Sequence, residues 1–323
     1  PSHTAMSTAN TFPALLAEHA RVRGNRPAIR EKHLGIWQTL TWSQVHERVC
    51  KIAHGLAQLG VKRGDHVAVI GENRPQLYMA MMATQTLGAV PIALYQDAVA
   101  QEMVYVLQDA SVAVVVVEDQ EQVDKMLEVR DQCPAMQKIV YDDPRGLRHY
   151  TDEALMSCDQ LAELGEQHQR TDPDLISRCL EQIRPEDDGA MFYTSGTTGK
   201  PKGVVLTSHA LIDRARVIEV MEGLTDHEDV LAYMPVAWIG QNMFSYMQLL
   251  VTGFTVNHPE SPETVPIDMR DIGPTYYFAP PRVLEGLLTQ VTIRMEDAGW
   301  FKRKMYDWAM GVARRAGSRI LDG

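Results

Sequence analysis

The stretch "GDHVAVIGENRPQLYMAMMATQTLGAVPIAL", Gly64 to Leu94, decides the fold. A turn leads into the apolar run Val67–Ile70, which breaks in the polar loop "GENRP". After Pro75 comes an apolar segment of helix length that stops at Gly88, then a second apolar run ending at Leu94. Short apolar runs bounded by turn residues read as strands buried on both faces, and the longer segment between them reads as a helix. The next segment, "EMVYVLQDASVAVVVVED", repeats the pattern with a helix and a third strand, Val112 to Val117. Strand, helix, strand, helix, strand is the α/β arrangement with a mainly parallel sheet flanked by helices.

Working outward, "TFPALLAEHARVRG" (Thr11 to Gly24) has helical spacing. The segment "LTWSQVHERVCKIAHGLAQLGV" reads as a helix with Thr41 or Ser43 as N-cap and Gly60 at its end. From about Pro144 to Asp188 the chain is polar, helical or irregular, and reads as a connection. A second α/β unit is expected from Gly189, with strands in "GAMFYT", "GVVLTS", "DVLAYMPVAW", "GFTVNH" and "PTYYFAPP". It also holds a helix, "HALIDRARVIEVM", capped by Ser208, and one or two closing helices from "PPRVLEGLL" onward. The expected division is therefore 1–188 and 189–323, with the second unit's sheet incomplete at Gly323.

Composition narrows the function. The formal charge of −11 does not suit a protein whose main partner is nucleic acid, although local lysines can still serve a nucleotide. Cys50, Cys133, Cys158 and Cys179 are scattered, with no C-x-x-C pair, and read as reduced thiols. The N-terminal stretch lacks the basic start and apolar run of a signal peptide, and no apolar run reaches membrane-spanning length. A cytoplasmic protein is expected.

The chemistry concentrates in "YTSGTTGKPKGV", Tyr193 to Val204. A phosphate group needs several donors aimed at one spot, plus positive charge. Glycines let the backbone approach, hydroxyls add donors, and lysines add charge. The common NTPase P-loop is excluded on three counts. Only two residues separate Gly196 from Gly199, Pro201 stands where a hydroxyl should follow the lysine, and "GVVLTS" alternates like a strand instead of opening a helix. The loop is expected to join two strands, with Pro201 stiffening the return.

This run resembles the signature loop of the adenylate-forming (AMP-binding) superfamily, which includes acyl-CoA synthetases, luciferases and peptide-synthetase adenylation domains. The likeness extends upstream through Leu40–Leu94 in order and spacing. Downstream, "AYMPVAW" and "YYFAPPRVLEGL" resemble runs of the long-chain acyl-CoA synthetases, or fatty-acid–CoA ligases. It spans Thr11 to the C-terminus. The resemblance implies an N-terminal domain built of two α/β subdomains. It also implies a reaction of ATP with a carboxylate to give acyl-AMP and pyrophosphate, followed by transfer of the acyl group to coenzyme A. ATP, Mg²⁺ and coenzyme A are the implied cofactors.

Carried onto this chain, the resemblance makes Thr194, Ser195, Gly196, Thr197, Thr198 and Gly199 the donors to the ATP phosphates. Lys200 and Lys202 balance their charge, and the Thr194 hydroxyl is the candidate contact to Mg²⁺. Trp238 stands where relatives put an aromatic residue, often His, that lines the carboxylate pocket; read from the residues alone, it is equally a core aromatic. Amino-acid-activating relatives carry an Asp just beyond this position. Here Ile239, Gly240, Gln241 and Asn242 follow, so an uncharged acyl group is expected. The competing readings are an aryl- or short-chain-acid ligase and a non-catalytic nucleotide-binding module. "MFSYMQLLVTGF" reads as an acyl-tunnel wall or an ordinary buried helix. "FKRKMYDWAMGVARR" reads as a solvated helix face or a peripheral membrane contact. The superfamily's Tyr-Gly-x-Thr-Glu run, ribose-binding Asp and small C-terminal domain with its catalytic lysine are not found. The 323 residues alone are expected to be weakly active or inactive.

Overall fold

The computed structural model describes residues 9–194 and 199–321. In chain order the strands are β1 (Pro27–His33), β2 (Ile36–Thr41), β3 (His66–Ile70), β4 (Val90–Leu94), β5 (Val114–Val117), β6 (Lys138–Tyr141), β7 (Leu155–Ser157), β8 (Asp188–Thr194), β9 (Lys202–Thr207), β10 (Asp229–Leu231) and β11 (Thr255–His258). The helices are α1 (Phe12–Val22), α2 (Trp42–Gln58), α3 (Pro75–Thr86), α4 (Ala100–Asp109), α5 (Gln120–Val129), α6 (Cys158–Thr171), α7 (Leu175–Gln182), α8 (Ser208–Glu222), α9 (Ile239–Gln241), α10 (Gln248–Thr252), α11 (Val265–Ile272), α12 (Pro281–Glu296) and α13 (Trp300–Leu321).

Among the described residues, one sheet has seven strands in the order β7-β6-β5-β3-β4-β8-β9 and the other has four in the order β10-β11-β1-β2. The first is parallel apart from its β8–β9 edge hairpin, and the second is parallel apart from β1–β2. The α/β expectation holds, and β3-α3-β4 is the crossover unit that the opening stretch describes. Residue 188 opens β8 within the larger sheet. A compact division of the chain falls between Tyr276 and Tyr277.

α3 sits at the centre of the larger of the first unit's two cores. Its residues from Leu77 to Thr86 are all buried, so it has no solvent face. It touches β3, β4 and β5 on one side and β1 on the other, which makes it the filling between the two sheets. A helix apolar on every side has to be buried on every side. Each large apolar side chain removed from water here contributes about 2 kcal/mol.

α2 begins with a reciprocal capping box: Gln44 N donates to Thr41 Oγ1 at 3.3 Å, and Thr41 N donates to Gln44 Oε1 at 2.9 Å. It then crosses α6 with backbone against backbone. A Cβ on Gly165 would run into the carbonyl of Lys51, and one on Gly55 into the carbonyl of Leu161.

Several local expectations are corrected. The third strand starts at Val114, not Val112. α8 is capped by Thr207, whose Oγ1 accepts from Ala210 N at 3.2 Å, because Ser208 is already helical. "PTYYFAPP" forms a single bridge, Val230 with Tyr276, and no strand. β1 and β2, which no periodicity announced, bring the N-terminal region into the second sheet, with Ile29 opposite Val256. The second unit, Tyr277–Gly323, holds α12 and α13.

Candidate functional site

The hairpin between β8 and β9 carries the loop chemistry. Its antiparallel register pairs Thr194 with Lys202 and Tyr193 with Gly203. The run beyond Lys200 is therefore a strand, and the next helix starts only at Ser208. Because β8 runs parallel to β4, the loop lies at the carboxyl end of the sheet's strands, where open α/β sheets bind their ligands. Ser195, Gly196, Thr197 and Thr198 lie outside the described residues. Gly199 has φ of +94° with open space where a Cβ would stand, so its glycine is required by backbone conformation and not by crowding. Thr194, Lys200 and Lys202 are exposed. Lys200 Nζ lies 5.3 Å from the centre of the Tyr105 ring. α4 braces the hairpin a second time: Tyr193 donates to Asp109 Oδ2 at 2.7 Å, and burial followed by this carboxylate pushes the phenol's pKa up. At Gly203 a Cβ would run into Met191 Cε and fall 3.1 Å from Tyr193 Cζ, so both side chains would have to shift to admit one.

Trp238 is half-buried at the start of a short helix. A Cβ on Gly240 would meet its ring at 2.6 Å, so a glycine is needed beneath the indole. The chain then forms a π-helical turn, Asn242–Met247, of the kind often found at functional sites. Behind it is a buried polar group that the sequence did not announce. Gln241 Nε2 donates to Ser245 Oγ at 2.6 Å, and Ser245 Oγ lies 2.6 Å from the Tyr78 hydroxyl. Tyr78 donates to Asn73 Oδ1 at 2.8 Å, and Asn73 Nδ2 donates to the Met234 carbonyl. Tyr246 donates to Gln85 Oε1 at 2.7 Å, and Gln85 Nε2 donates to the Gly189 carbonyl in β8 at 2.8 Å. Burial pushes the Tyr78 phenol up to about 12 and holds the neighbouring His258 down at about 3, so both stay neutral. The only sequence signal was a set of amides and hydroxyls inside apolar segments.

A third cluster follows β3, β5 and β6. Arg74 Nε donates to Glu118 Oε1 at 2.7 Å, and its two Nη atoms donate to the carbonyls of Pro259 and Glu260, each at 3.0 Å. Glu31 stands 3.6 Å from the same guanidinium. Burial, then Glu31 and Glu118, pushes Asp142 up to about 7. Arg74 and Asn73 also line a shallow pocket with Tyr233, Ser261 and Val265. The remaining titratable candidates sit at the surface: His209 pairs with Asp213 at 3.2 Å and His227 is exposed. Among the described residues all four cysteines are free, and no group of three or more His, Cys, Asp or Glu is arranged to hold a metal ion.

Comparison with known proteins agrees with this architecture. A sequence model described as AMP-binding enzyme matches residues 16–310. The long-chain-fatty-acid–CoA ligase ACSBG1 of Rattus norvegicus is 26% identical over 297 residues, covering 90% of this chain and 40% of that protein. The chain thus spans about two fifths of the length of the curated relatives it matches. Among solved structures, a long-chain-fatty-acid–CoA ligase from Archaeoglobus fulgidus superposes with a TM-score of 0.72 at 20% identity, over 89% of this chain and 54% of that one. An anthranilate–CoA ligase in complex with anthranoyl-AMP superposes with a TM-score of 0.67 at 18% identity, over 83% of this chain and 48% of that one. At these identities the structural likeness speaks for the fold.

Proposed function

The chain belongs to the AMP-binding enzyme family, and on that premise we propose that the whole protein is an AMP-forming acid–thiol ligase, with a long-chain fatty acid as the acid. A carboxylate oxygen attacks the α-phosphorus of ATP and displaces pyrophosphate, giving acyl-AMP. The sulfur of coenzyme A then attacks the acyl carbonyl, the thioester forms, and AMP leaves with the bonding electrons.

The observation that carries the reading is the β8–β9 hairpin. It presents Thr194, Gly199, Lys200 and Lys202 at the carboxyl end of a parallel sheet, with open space beside Gly199. The two ammonium groups stabilise negative charge as it moves onto departing pyrophosphate. In the loop, Ser195 to Thr198 complete the donor set. Magnesium fits as an ion that arrives on the nucleotide's phosphates, where it neutralises their charge; the Thr194 hydroxyl is the candidate protein contact. Trp238 walls the carboxylate pocket. The absence of an acidic residue in Ile239–Asn242 leaves nothing there to pair an ammonium, which supports an uncharged acyl chain.

Among the described residues no helix is long and apolar enough to cross a membrane. The proposal extends to a cytoplasmic enzyme in which α13, basic and aromatic, with Lys304 Nζ 4.6 Å from the Trp300 ring centre, meets a membrane surface peripherally. Acid-dependent exchange of labelled pyrophosphate into ATP by the full-length protein tests the activity, with acids from benzoate to palmitate setting the class. Exchange is expected to be strongest with long chains and weak or absent with residues 1–323 alone. Failure of the full-length protein to bind magnesium–ATP in a calorimeter would overturn the reading.

A further inference from the structure

We propose that Tyr78 is a positioning residue for Trp238, fastening both ends of the turn that carries the indole through one directional chain of hydrogen bonds. The claim rests on the reading of Trp238 as a wall of the acid pocket.

The direction follows from counting protons. Tyr78 has one, and it goes to Asn73 Oδ1 at 2.8 Å. The proton between Tyr78 and Ser245 is therefore that of Ser245, whose 2.6 Å contact to Tyr78 is shorter than its 3.0 Å contact to the Gln241 carbonyl. Ser245 in turn accepts from Gln241 Nε2 at 2.6 Å. The chain runs from Gln241 through Ser245, Tyr78 and Asn73 to the Met234 carbonyl. Met234 and Gln241 bracket Trp238 on the two sides, so one phenol ties together the entry and the exit of the Trp238 turn.

The phenol itself cannot wander. Tyr78 is fully buried on α3. Its ring meets Tyr246 edge-on at 5.4 Å and His258 edge-on at 4.7 Å. Asn242 Nδ2 adds a further tie to the Val236 carbonyl at 3.3 Å. Removing the hydroxyl leaves the ring in place but strands Asn73 Oδ1 in a buried site, where an unpaired polar atom drives local rearrangement, while the Ser245 proton turns to the Gln241 carbonyl at 3.0 Å. The rearrangement falls on the Trp238 turn, because that is what the chain holds.

Tyr78→Phe and Tyr78→Phe/Ser245→Ala test this with two readouts. In the full-length protein, pyrophosphate exchange should show KM for the fatty acid raised about tenfold in Tyr78→Phe, with KM for ATP within about twofold. Because Ser245→Ala also takes away the acceptor of buried Gln241 Nε2, the double variant should raise the acid KM further than the single one. In the 323-residue chain, acrylamide quenching of the Trp238 emission, obtained by subtracting the Trp238→Phe version of each protein, should at least double. A merely structural tyrosine would lower Tm while leaving Trp238 quenching and the acid-to-ATP KM ratio unchanged, and that result overturns the proposal. If the wild type exchanges pyrophosphate with no acid at all, the ligase reading fails by itself, and Trp238 quenching alone then decides the role of Tyr78.

Discussion

Two regions at the carboxyl ends of the same sheet carry dense charge, and they use it in opposite ways. Around Arg74 the charge is turned inward: the guanidinium is shared among Glu118, Glu31 and two carbonyls, and the cluster joins the two sheets. At the β8–β9 hairpin, Lys200 and Lys202 are exposed, and Lys200 rests against the face of Tyr105. Charge density alone would have marked the first region as the ligand site. What distinguishes the second is that its two cations and Gly199 are presented to solvent, where an anion can reach them. A half-buried cluster whose cation is shared among several protein acceptors holds elements together; exposed cations are free to meet an anion.

The largest effect that would break this contrast is on stability. Arg74→Ala leaves half-buried carboxylates and two carbonyls without their cation, and should lower unfolding free energy by about 3 kcal/mol. A chemical denaturation curve with a loss below about 1 kcal/mol would show the Arg74 cluster to be as open as the hairpin. Next comes affinity. Lys200→Ala/Lys202→Ala should weaken magnesium–ATP binding about 100-fold by calorimetry, each ammonium contributing about tenfold, while Tm stays the same. A fall in Tm would mean that these lysines hold the fold.

A third effect sharpens the contrast by pH. The folded pKa of Asp142 is raised to about 7 from an ordinary 3.8. The folded state therefore keeps a proton that the unfolded state has lost across that interval, and stability is full below the lower value and declines as pH rises through the higher one. Asp142→Asn should be neutral near pH 4 and stabilise by about 2 kcal/mol above pH 7. A gain independent of pH would remove the carboxylate's ionisation as its cause. The smallest effect is at Gly199, where alanine must adopt a positive φ in open space. Gly199→Ala should cost about 1 kcal/mol or less, visible mainly as weaker nucleotide binding. Unchanged affinity would show that the loop does not need that backbone conformation to meet phosphate.

Much of this was legible in the chain, and what escaped has a common cause. α3 was readable because its apolar residues are contiguous, and the hairpin because "GVVLTS" alternates after a loop that cannot open a helix. That α3 is wedged between two sheets was not readable, since β1 and β2 carry no clean alternation and β1 pairs with a strand more than 200 residues away. "PTYYFAPP" looked like a strand by composition, yet its backbone finds only one bridge. Trp238 was singled out through resemblance, but its support by Tyr78 and Ser245, 167 positions apart, was invisible. So was the brace of Tyr105 and Asp109 beneath the hairpin.

The sequence by itself determined the α/β class, the order of most elements, the strand-to-strand nature of the glycine-rich loop and the family to which it belongs. These depend on the period of apolar residues and on local backbone chemistry, which act over a few positions. Only the tertiary structure decided which charges are paired and which stay exposed, and which polar side chains meet behind Trp238. Those outcomes depend on partners brought together by sheet pairing, and a hydrogen bond or ion pair is settled by distances of a few ångströms that no local pattern encodes.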